Sequence, residues 1–303
     1  MRAIVTGATG MIGIALINNL LEQGYECIAI VRENSTKTNL LPKHKNLEIL
    51  ECDINKLVKL NLPKPANVFF HLAWVATVGK DRDNVYLQEN NVKNAIDAVS
   101  LAHKCGCEVF VGVGSQAEYG SVSEKLSATT PTNPTSGYGI AKYAASKLTQ
   151  LLATQLGMKH CWARILSIYG ENDSPNTLMS YLIKSFMSNE DVNLTKCEQQ
   201  WDYLYVKDCA NALRLIAEKG KDGKIYTIGS GEAQLLSNYV KIVYDNINTN
   251  SIINYGAKDY YKNQPMYLCA DITELKNDTG FTPKYTFNEG IKNTIKDYIE
   301  RQK

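Results

Sequence analysis

A turn punctuated by three glycines lies close to the N-terminus and leaves few folds open to the chain. The apolar run 2–6 reads as a short buried strand that leads directly into Gly7, Gly10 and Gly13, and the amphipathic run 14–21 follows. In such a strand-turn-helix unit, the first glycine permits the tight turn, the second lets the backbone approach a pyrophosphate, and the third lets the helix pack on the strand. The segment therefore predicts a dinucleotide bound at the N-terminus of a helix, with a purely structural turn as the alternative.

Strand and helix patterns alternate through the first half of the chain. Near-continuous apolar strands separated by helices favour a parallel sheet that is covered on both faces. We therefore predict an α/β fold built on a Rossmann-type doubly wound parallel sheet, in which ligands bind at the carboxyl ends of the strands. The predicted strands are 2–6, 26–31, 47–52, 67–72, 108–113 and 160–168, and the predicted helices are 12–23, 84–104 and 137–155.

The composition favours a small-molecule partner. Of 303 residues, 44% are hydrophobic and 21% are charged, which is typical of a globular protein with a large core. The 33 basic and 31 acidic residues leave a net charge of +2 and form no basic block. We therefore expect neither a nucleic acid nor a membrane surface as partner.

Eight cysteines lie mostly within apolar strands and helices. The chain begins directly with its first strand rather than with the pattern of a signal peptide. Both features favour a reduced protein of the cytoplasm. Cys105 and Cys107 form a CxC pair, but no His/Cys cluster with zinc-ligand spacing accompanies them, so no metal is expected.

Tyr138 and Lys142 lie four residues apart on the predicted helix 137–155 and therefore share one of its faces. A free tyrosine has a pKa of about 10 and is a poor acid or base at neutral pH. A nearby ammonium favours the phenolate and lowers that pKa. The pair is a candidate acid–base catalyst, with a chance pairing on an exposed helix as the alternative.

An apolar strand ends at Ser115, which precedes Tyr138 and Lys142 in the chain. A hydroxyl at a strand end can hydrogen-bond a substrate oxygen, and a Gly/Ser turn that merely closes the strand is the alternative. Together with the glycine turn, the three residues complete a Ser, Tyr, Lys set. On these motifs the chain resembles the extended short-chain dehydrogenase/reductase family, and within it the NAD-dependent epimerase/dehydratase branch, which acts on nucleotide sugars.

Further landmarks of that family follow in order along nearly the whole chain. Several of these motifs are too unspecific to identify the family on their own, so the resemblance rests on their order and spacing. The landmarks are Cys52-Asp53-Ile54, Phe70 to Trp74, Asn91, Arg164 to Gly170, Trp201 to Asp208, Thr279 to Pro283 and Glu289 to Ile291.

The resemblance implies two lobes and a homodimer. Residues 1–169 and 202–230 would form the NAD(P)-binding Rossmann domain. Residues 170–201 and 231–303 would form a smaller C-terminal α/β substrate-binding lobe, where the regular alternation of elements weakens. The helices near 84–104 and 137–155 would pair with their copies in a four-helix dimer interface.

The resemblance also implies which residues bind the cofactor. Asp53 is expected to contact the adenine amino group, with Ile54 packed on the ring. The expected cofactor-binding residues are Gly7, Thr9, Gly10, Met11, Ile12, Gly13, Arg32, Asp53, Ile54, Leu72, Ala73, Trp74, Tyr138 and Lys142.

The end of the second strand bears on the choice between NAD and NADP. An acidic residue there usually holds the 2′-hydroxyl of NAD, whereas the 2′-phosphate of NADP needs positive charge. Val31 stands where the acid is expected and Arg32 follows, with Lys37 nearby. A guanidinium suits a phosphate, so NADP(H) is favoured over NAD(H). Glu33 keeps NAD open, because a register shift of one residue would restore an acid.

The resemblance implies that Tyr138 exchanges a proton with a sugar hydroxyl or ketone while a hydride moves to or from the nicotinamide. Lys142 would lower the pKa of Tyr138 and bind the nicotinamide ribose, and Ser115 would orient the substrate oxygen. Dehydratases of the family need an Asp-Glu pair after the active-site hydroxyl residue, where this chain has Gln116 and Ala117. Without these two carboxyl groups, the elimination of water from the sugar would lack its acid and its base, so a dehydratase is disfavoured.

Three functions then remain. An NADPH-dependent reductase of a 4-keto-6-deoxy sugar nucleotide, with Tyr138 as proton donor, is favoured by the cofactor argument. A nucleotide-sugar 4-epimerase with tightly held NAD is the first alternative. A non-catalytic NADP(H)-binding sensor or scaffold is the second, and it is disfavoured because such proteins typically lose the Tyr or the Lys.

The nucleoside and the sugar stay open. Many family members carry an arginine near the nucleotide diphosphate where this chain has Trp201, and an indole cannot pair with a phosphate as a cation. Arg164, Lys184 and Lys207 are possible replacement cations, with ordinary surface or fold-supporting charges as the alternative. The candidate substrate-binding residues are Trp74, Gln116, Arg164 and Trp201.

Overall fold

The computed structural model describes residues 1–62, 64–261 and 264–301. Strands β1 to β14 are Arg2–Thr6, Glu26–Val31, Leu47–Glu51, Val68–His71, Val109–Ser115, Lys159–Ile165, Ser167–Tyr169, Val192–Asn193, Gln200–Trp201, Tyr203–Tyr205, Ile225–Ile228, Gln234–Leu235, Ile253–Asn254 and Tyr267–Leu268. Helices α1 to α8 are Met11–Glu22, Val85–Lys104, Gly137–Gln155, Leu178–Met187, Val206–Lys219, Leu236–Asp245, Thr273–Thr279 and Phe287–Glu300. Short 3-10 turns lie at Thr38–Leu40, Ile54–Lys59, Lys80–Asp83 and Gln116–Glu118.

The central sheet has seven strands in the order β11-β6-β5-β4-β1-β2-β3, and every neighbouring pair is parallel. The chain starts in the middle of this sheet at β1, runs outward through β2 and β3, and returns to the other side of β1 at β4. The predicted Rossmann-type doubly wound sheet is therefore confirmed. Thr6 at the end of β1 aligns with His71 at the end of β4, which marks the switch point where ligands bind in such sheets.

Alternate side chains of the strands enter two separate cores on the two faces of the sheet. Val5 points to a core with α1 and α5, whereas Ile4 and Phe69 point to a core with α2 and α3. Each fully buried aliphatic or aromatic side chain contributes about 1.5–3 kcal/mol, so this two-faced pattern fixes the register of the sheet. All eight cysteines are free and buried.

The C-terminal part of the chain builds a smaller aromatic core around α4, α6 and α8. Phe287 packs against Tyr239 with ring centres 4.5 Å apart and against Tyr169 at 4.7 Å. The segment from β10 through α5 returns the chain to the central sheet, where β11 lies beside β6. The two-lobe boundaries expected at residues 170, 202 and 231 stay a prediction.

One predicted strand is interrupted. The run 160–168 forms β6, which ends at Ile165, and β7, which leaves the central sheet to pair with β10. The break falls at Leu166, whose backbone N–H donates to the carbonyl of Ile228 at the end of β11. Because the edge strand β11 ends at Ile228, the chain has no further partner there among the described residues, and β7 turns toward the smaller aromatic core. No helix in the described ranges is long and apolar enough to cross a membrane.

Candidate active site

The glycine turn joins β1 to α1 in a backbone conformation that a side chain would disturb. Gly7 has a φ of +69°, and a β-carbon there would lie 2.7 Å from the backbone nitrogen of Ala73. Gly10 precedes α1, and within the described residues no side chain caps the N–H groups at the start of this helix. The first turn of α1 carries no acidic residue in the described structure. These free N–H groups and the helix dipole make the turn suited to a diphosphate.

A cleft of about 410 Å³ opens at the carboxyl ends of β1, β2, β3 and β4. Its volume is in the range of small-molecule sites. It brings together eight of the residues expected to bind the cofactor, and they are Gly7, Thr9, Gly10, Arg32, Ile54, Leu72, Ala73 and Trp74. A neighbouring cavity of about 580 Å³ is lined by Met11, Ile12, Gly13, Val113 and the loop 172–175, so the groove continues past α1 and β5 toward the loop after β7.

The end of the cleft beside β2 is lined by two cations, Arg32 and Lys37. Glu33, the residue that kept NAD open, instead accepts a hydrogen bond from Lys56 Nζ at 2.8 Å. The Asp53 carboxylate lies 3.7 Å from the same Nζ. The acid nearest the end of β2 is thus engaged by a lysine, and two cations face the cleft.

Ser115 occupies the last position of β5 and caps the 3-10 turn Gln116–Glu118. Its Oγ accepts a hydrogen bond from the Ala117 N–H at 3.2 Å, and its own N–H donates to Glu118 Oε1 at 2.8 Å. This reciprocal pair is a capping box, which orders the turn. The hydroxyl is therefore held at the end of the strand, where it also interacts with Tyr138.

Glu118 is fully buried, and its carboxylate links the turn to the interior of the sheet. It accepts hydrogen bonds from Trp162 Nε1 at 3.0 Å and from Arg164 Nε at 2.8 Å. Arg164 is 1% exposed, and its guanidinium lies 4.5 Å from the centre of the Tyr119 ring. The expectation that Arg164 binds substrate phosphate is therefore wrong. Because Arg164 is buried and paired with Glu118, its charge supports the fold.

Tyr138 lies in the first turn of α3 and is 9% exposed. Burial raises its pKa above the ordinary value, while the nearby Ser115 side chain and the charge of Arg82 oppose that rise. The Arg82 guanidinium lies 4.4 Å from the centre of the Tyr138 ring. The expected cause, Lys142, is not among the groups that lower the pKa of Tyr138 in the described structure. The net direction is thus opposite to the sequence-based expectation.

Lys142 lies one turn further along α3 and is 2% exposed. Its Nζ donates to the carbonyl of Val113 at 2.6 Å and lies 3.7 Å from the centre of the Trp74 ring. Burial lowers the pKa of Lys142 to about 7, and the charge of Glu118 opposes that shift. Its ammonium is therefore directed between β5 and the segment after β4, with Nζ 5.9 Å from the centre of the Tyr138 ring.

The segment after β4 contacts Tyr138 and Lys142 through Trp74 and is anchored to α2. The Trp74 indole packs edge-on against Tyr138 and donates through Nε1 to Gln88 Oε1 at 2.9 Å. Asn91 holds the backbone of Val75 through both its amide oxygen, at 3.0 Å, and its amide nitrogen, at 2.8 Å. Gln88 and Asn91 stand three residues apart and share one face of α2, and this polar pair is the sequence signal for the anchor.

The remaining candidate substrate residues lie apart from the cofactor cleft. Gln116 follows Ser115, and its Oε1 is buried without a hydrogen-bond partner in the described part of the chain. Trp201 donates through Nε1 to Ser167 Oγ at 2.8 Å and packs in the smaller lobe. Lys207 is paired with Glu171 at 3.1 Å. Lys184 lines a separate cavity of about 270 Å³ between α4 and α8.

The model of the NAD dependent epimerase/dehydratase family matches residues 3–229. A CDP-abequose synthase from Salmonella muenchen is 25% identical over an alignment of 305 positions, gaps included, that covers 97% of this chain and 97% of that protein.

Two solved structures share the architecture. A UDP-glucose 4-epimerase from Thermotoga maritima, solved with UDP-glucose, has a TM-score of 0.86 and 25% identity, with 100% of each chain covered. A UDP-glucuronic acid 4-epimerase from Bacillus cereus, solved in complex with NAD, has a TM-score of 0.83 and 19% identity, again with 100% of each chain covered. The second likeness shows the shared fold alone.

Proposed function

The chain belongs to the NAD-dependent epimerase/dehydratase family, and we propose that within it the enzyme reduces the 4-keto group of a nucleotide-linked 4-keto-6-deoxy sugar with NADPH. It is an NAD(P)-dependent enzyme of nucleotide-sugar chemistry, as its relatives are. One observation supports the finer proposal: Arg32 and Lys37 line the end of the cleft beside β2, while Glu33 is paired with Lys56.

The cleft suits the proposed cofactor in shape and charge. The approach of Gly7 to Ala73 and the free N–H groups of α1 leave room and hydrogen-bond donors for a diphosphate. Arg32 and Lys37 would pair with the 2′-phosphate of NADPH. The Bacillus cereus structure holds NAD, so the preference for NADP is a property proposed for this chain.

Tyr138 is proposed to donate its proton to the C4 oxygen of the sugar, and Ser115 to hold that oxygen by a hydrogen bond. NADPH, when bound, supplies the hydride. Lys142 is proposed to hold the nicotinamide ribose, which requires its Nζ to turn from the Trp74 ring. Burial of Tyr138 excludes bulk water from the proton transfer.

A dehydratase is disfavoured by the two residues that follow Ser115. Elimination of water from the sugar needs an acid and a base, and neither the Gln116 amide nor the Ala117 methyl group can serve as one. The buried Oε1 of Gln116 is free to accept a hydrogen bond from a substrate hydroxyl. We propose Gln116 as a substrate contact, together with Trp201 on the opposing lobe.

A 4-epimerase with tightly held NAD is the second candidate. The Thermotoga maritima structure, solved with UDP-glucose, favours it, and the same Ser115, Tyr138 and Lys142 would serve both reactions. An epimerase returns the hydride to the same sugar, so its cofactor undergoes no net change. A non-catalytic sensor or scaffold would need none of the three residues.

We also propose a homodimer formed through α2 and α3. Five large apolar side chains in the described parts of these helices are exposed, and they are Val85, Tyr86, Ile140, Leu148 and Leu151. An exposed apolar face of this kind is expected to be covered by a partner. Sedimentation at micromolar concentration should give twice the chain mass, and a monomer there would contradict this proposal.

The test is an assay of the purified protein with NADPH and a 4-keto-6-deoxy nucleotide sugar prepared by a dehydratase. We expect one mole of NADPH to be oxidised per mole of sugar reduced, and Tyr138→Phe to lose about 100-fold or more in turnover while it still binds NADPH. Interconversion of two 4-hydroxy sugars without net oxidation would favour the epimerase. Cofactor binding without turnover on a panel of nucleotide sugars would favour the sensor.

A further inference from the structure

Arg82 lies on the 3-10 turn Lys80–Asp83, in a polar stretch between β4 and α2. Its guanidinium carbon is 4.4 Å from the centre of the Tyr138 ring, whereas Lys142 Nζ is 5.9 Å from the same point. Arg82 is therefore nearer to the Tyr138 ring than Lys142 is, although Lys142 lies on the same helix as Tyr138.

Three contacts hold Arg82 in this position. Its Nη1 donates to the carbonyl of Thr77 at 2.7 Å, and its own carbonyl accepts from Gln88 Nε2 at 3.1 Å. The neighbouring Asp83 accepts a hydrogen bond from the N–H of Gly137 at 2.7 Å. Because Gly137 is the first residue of α3, the turn that carries Arg82 is attached to the helix that carries Tyr138.

The groups around the Tyr138 phenol affect its ionisation in opposite directions. Glu118 opposes ionisation of the phenol, and Ser115 and Arg82 favour it. Lys142 donates to the Val113 carbonyl and faces the Trp74 ring. A cation over an aromatic face is attracted to the ring, and more so once the ring carries the negative charge of a phenolate.

We propose that Arg82 is a positioning residue for the proton donor, whose guanidinium holds the Tyr138 ring and stabilises the phenolate left when the proton is given to the substrate. This role rests on the proposed function of Tyr138. It gives the proton donor a second cation, on a different element from Lys142, whose Nζ lies 5.9 Å from the centre of the same ring.

The experiment places a single fluorotyrosine at position 138 in the full-length protein by codon reassignment. Fluorine lowers the pKa of the phenol, so its ionisation falls within the pH range where the protein is folded, and fluorine NMR follows that one residue. The titration is carried out in Arg82→Gln, in Arg82→Lys and in Lys80→Gln. Lys80→Gln is the matched control, since it removes a positive charge from the same turn.

We expect Arg82→Gln to raise the pKa of the fluorotyrosine by about one unit, and Arg82→Lys to restore most of that shift. Lys80→Gln should leave it unchanged. An unchanged pKa in Arg82→Gln, with the thermal melt showing a folded protein, overturns the proposal. An equal shift in Arg82→Gln and Arg82→Lys also overturns it, because the effect would then follow from packing rather than charge.

The NMR titration needs no turnover, so it separates this inference from the proposed reaction. If the pKa shift is found but no nucleotide sugar is reduced, the reductase proposal fails and the role of Arg82 at the phenol stands. If the sugar is reduced, the alkaline limb of kcat/KM should move to higher pH in Arg82→Gln and not in Lys80→Gln, because the donor tyrosine must be protonated. An alkaline limb that stays in place would overturn the catalytic part of the proposal.

Discussion

The Nζ atom of Lys142 lies 3.7 Å from the centre of the Trp74 indole ring. A cation–π contact of this kind is worth about 2 kcal/mol when it is shielded from water. The family resemblance assigns the same ammonium to the nicotinamide ribose. Binding through Lys142 therefore competes with the contact that Trp74 now makes.

Replacing Trp74 with alanine should tighten the binding of NADPH by about threefold to tenfold, since Lys142 is no longer covered by the ring. Trp74→Phe keeps an aromatic face and should change the affinity less. Fluorescence of bound NADPH gives both dissociation constants. Weaker binding in Trp74→Ala than in Trp74→Phe would mean instead that the indole contacts the cofactor, as the sequence suggested.

Arg32→Gln should weaken NADPH binding by about tenfold or more and leave NADH binding unchanged, because a charge-assisted hydrogen bond to the 2′-phosphate is lost. Lys45→Gln, which removes an exposed positive charge outside the cleft, is the matched control. Titration calorimetry with both cofactors measures the effect. Equal losses for NADPH and NADH would show that Arg32 does not recognise the phosphate.

Lys142→Met should stabilise the protein at pH 6 while it weakens cofactor binding. Burial lowers the pKa of Lys142 from 10.5 to about 7, so below pH 7 the folded protein carries a poorly solvated ammonium. Removing it should add about 2 kcal/mol to the free energy of unfolding, or roughly 5 °C to the melting temperature.

The gain in the free energy of unfolding from Lys142→Met should decrease as the pH rises. Between pH 7 and 10.5 the folded lysine is neutral while the unfolded lysine is still protonated, so the stability of the wild type rises with pH in this window. The advantage of Lys142→Met should therefore shrink above pH 7. Lys147→Met, at an exposed position on the same helix, should give little change at any pH, and a gain independent of pH in Lys142→Met would contradict the argument.

Glu118→Gln should destabilise the protein by about 3–5 kcal/mol, because it leaves the Arg164 charge buried and unpaired. Adding Arg164→Met should recover part of that loss, and urea denaturation of the full double-mutant cycle gives the coupling energy. Asp245→Asn, which breaks the exposed pair with Lys241, should cost less than about 1 kcal/mol. Strictly additive effects at Glu118 and Arg164 would refute the coupling.

The parts of the fold that depend on local pattern are predictable from the sequence. Gly7, Gly10 and Gly13 require a particular backbone, and alternating strands and helices imply a doubly wound sheet. Ser115 lies at a strand end, where the apolar run stops. Each of these features depends only on a few neighbouring residues. The sequence therefore predicts where the glycine turn and Ser115 lie, and that both are at the carboxyl ends of strands.

The electrostatics of the site depend on contacts between distant segments and could not be read in this way. Arg164 looked available to a phosphate, but its partner Glu118 is 46 residues away, and only the fold shows that both are buried. Tyr138 and Lys142 share a helix face, yet desolvation sets the direction of both pKa shifts. Arg82 stands in a polar loop, where nothing in the local pattern separates it from an ordinary solvated arginine.

The eight buried thiols give the protein an internal set of reporters on its own opening motions. A thiol reacts with an alkylating reagent only when its segment opens, and burial raises the pKa of Cys27 on β2 and of Cys161 on β6 to about 12. Cys197 and Cys269 are buried in the C-terminal half of the chain. Mass spectrometry of labelled peptides would therefore rank the layers by the free energy of local opening, with no engineered probe.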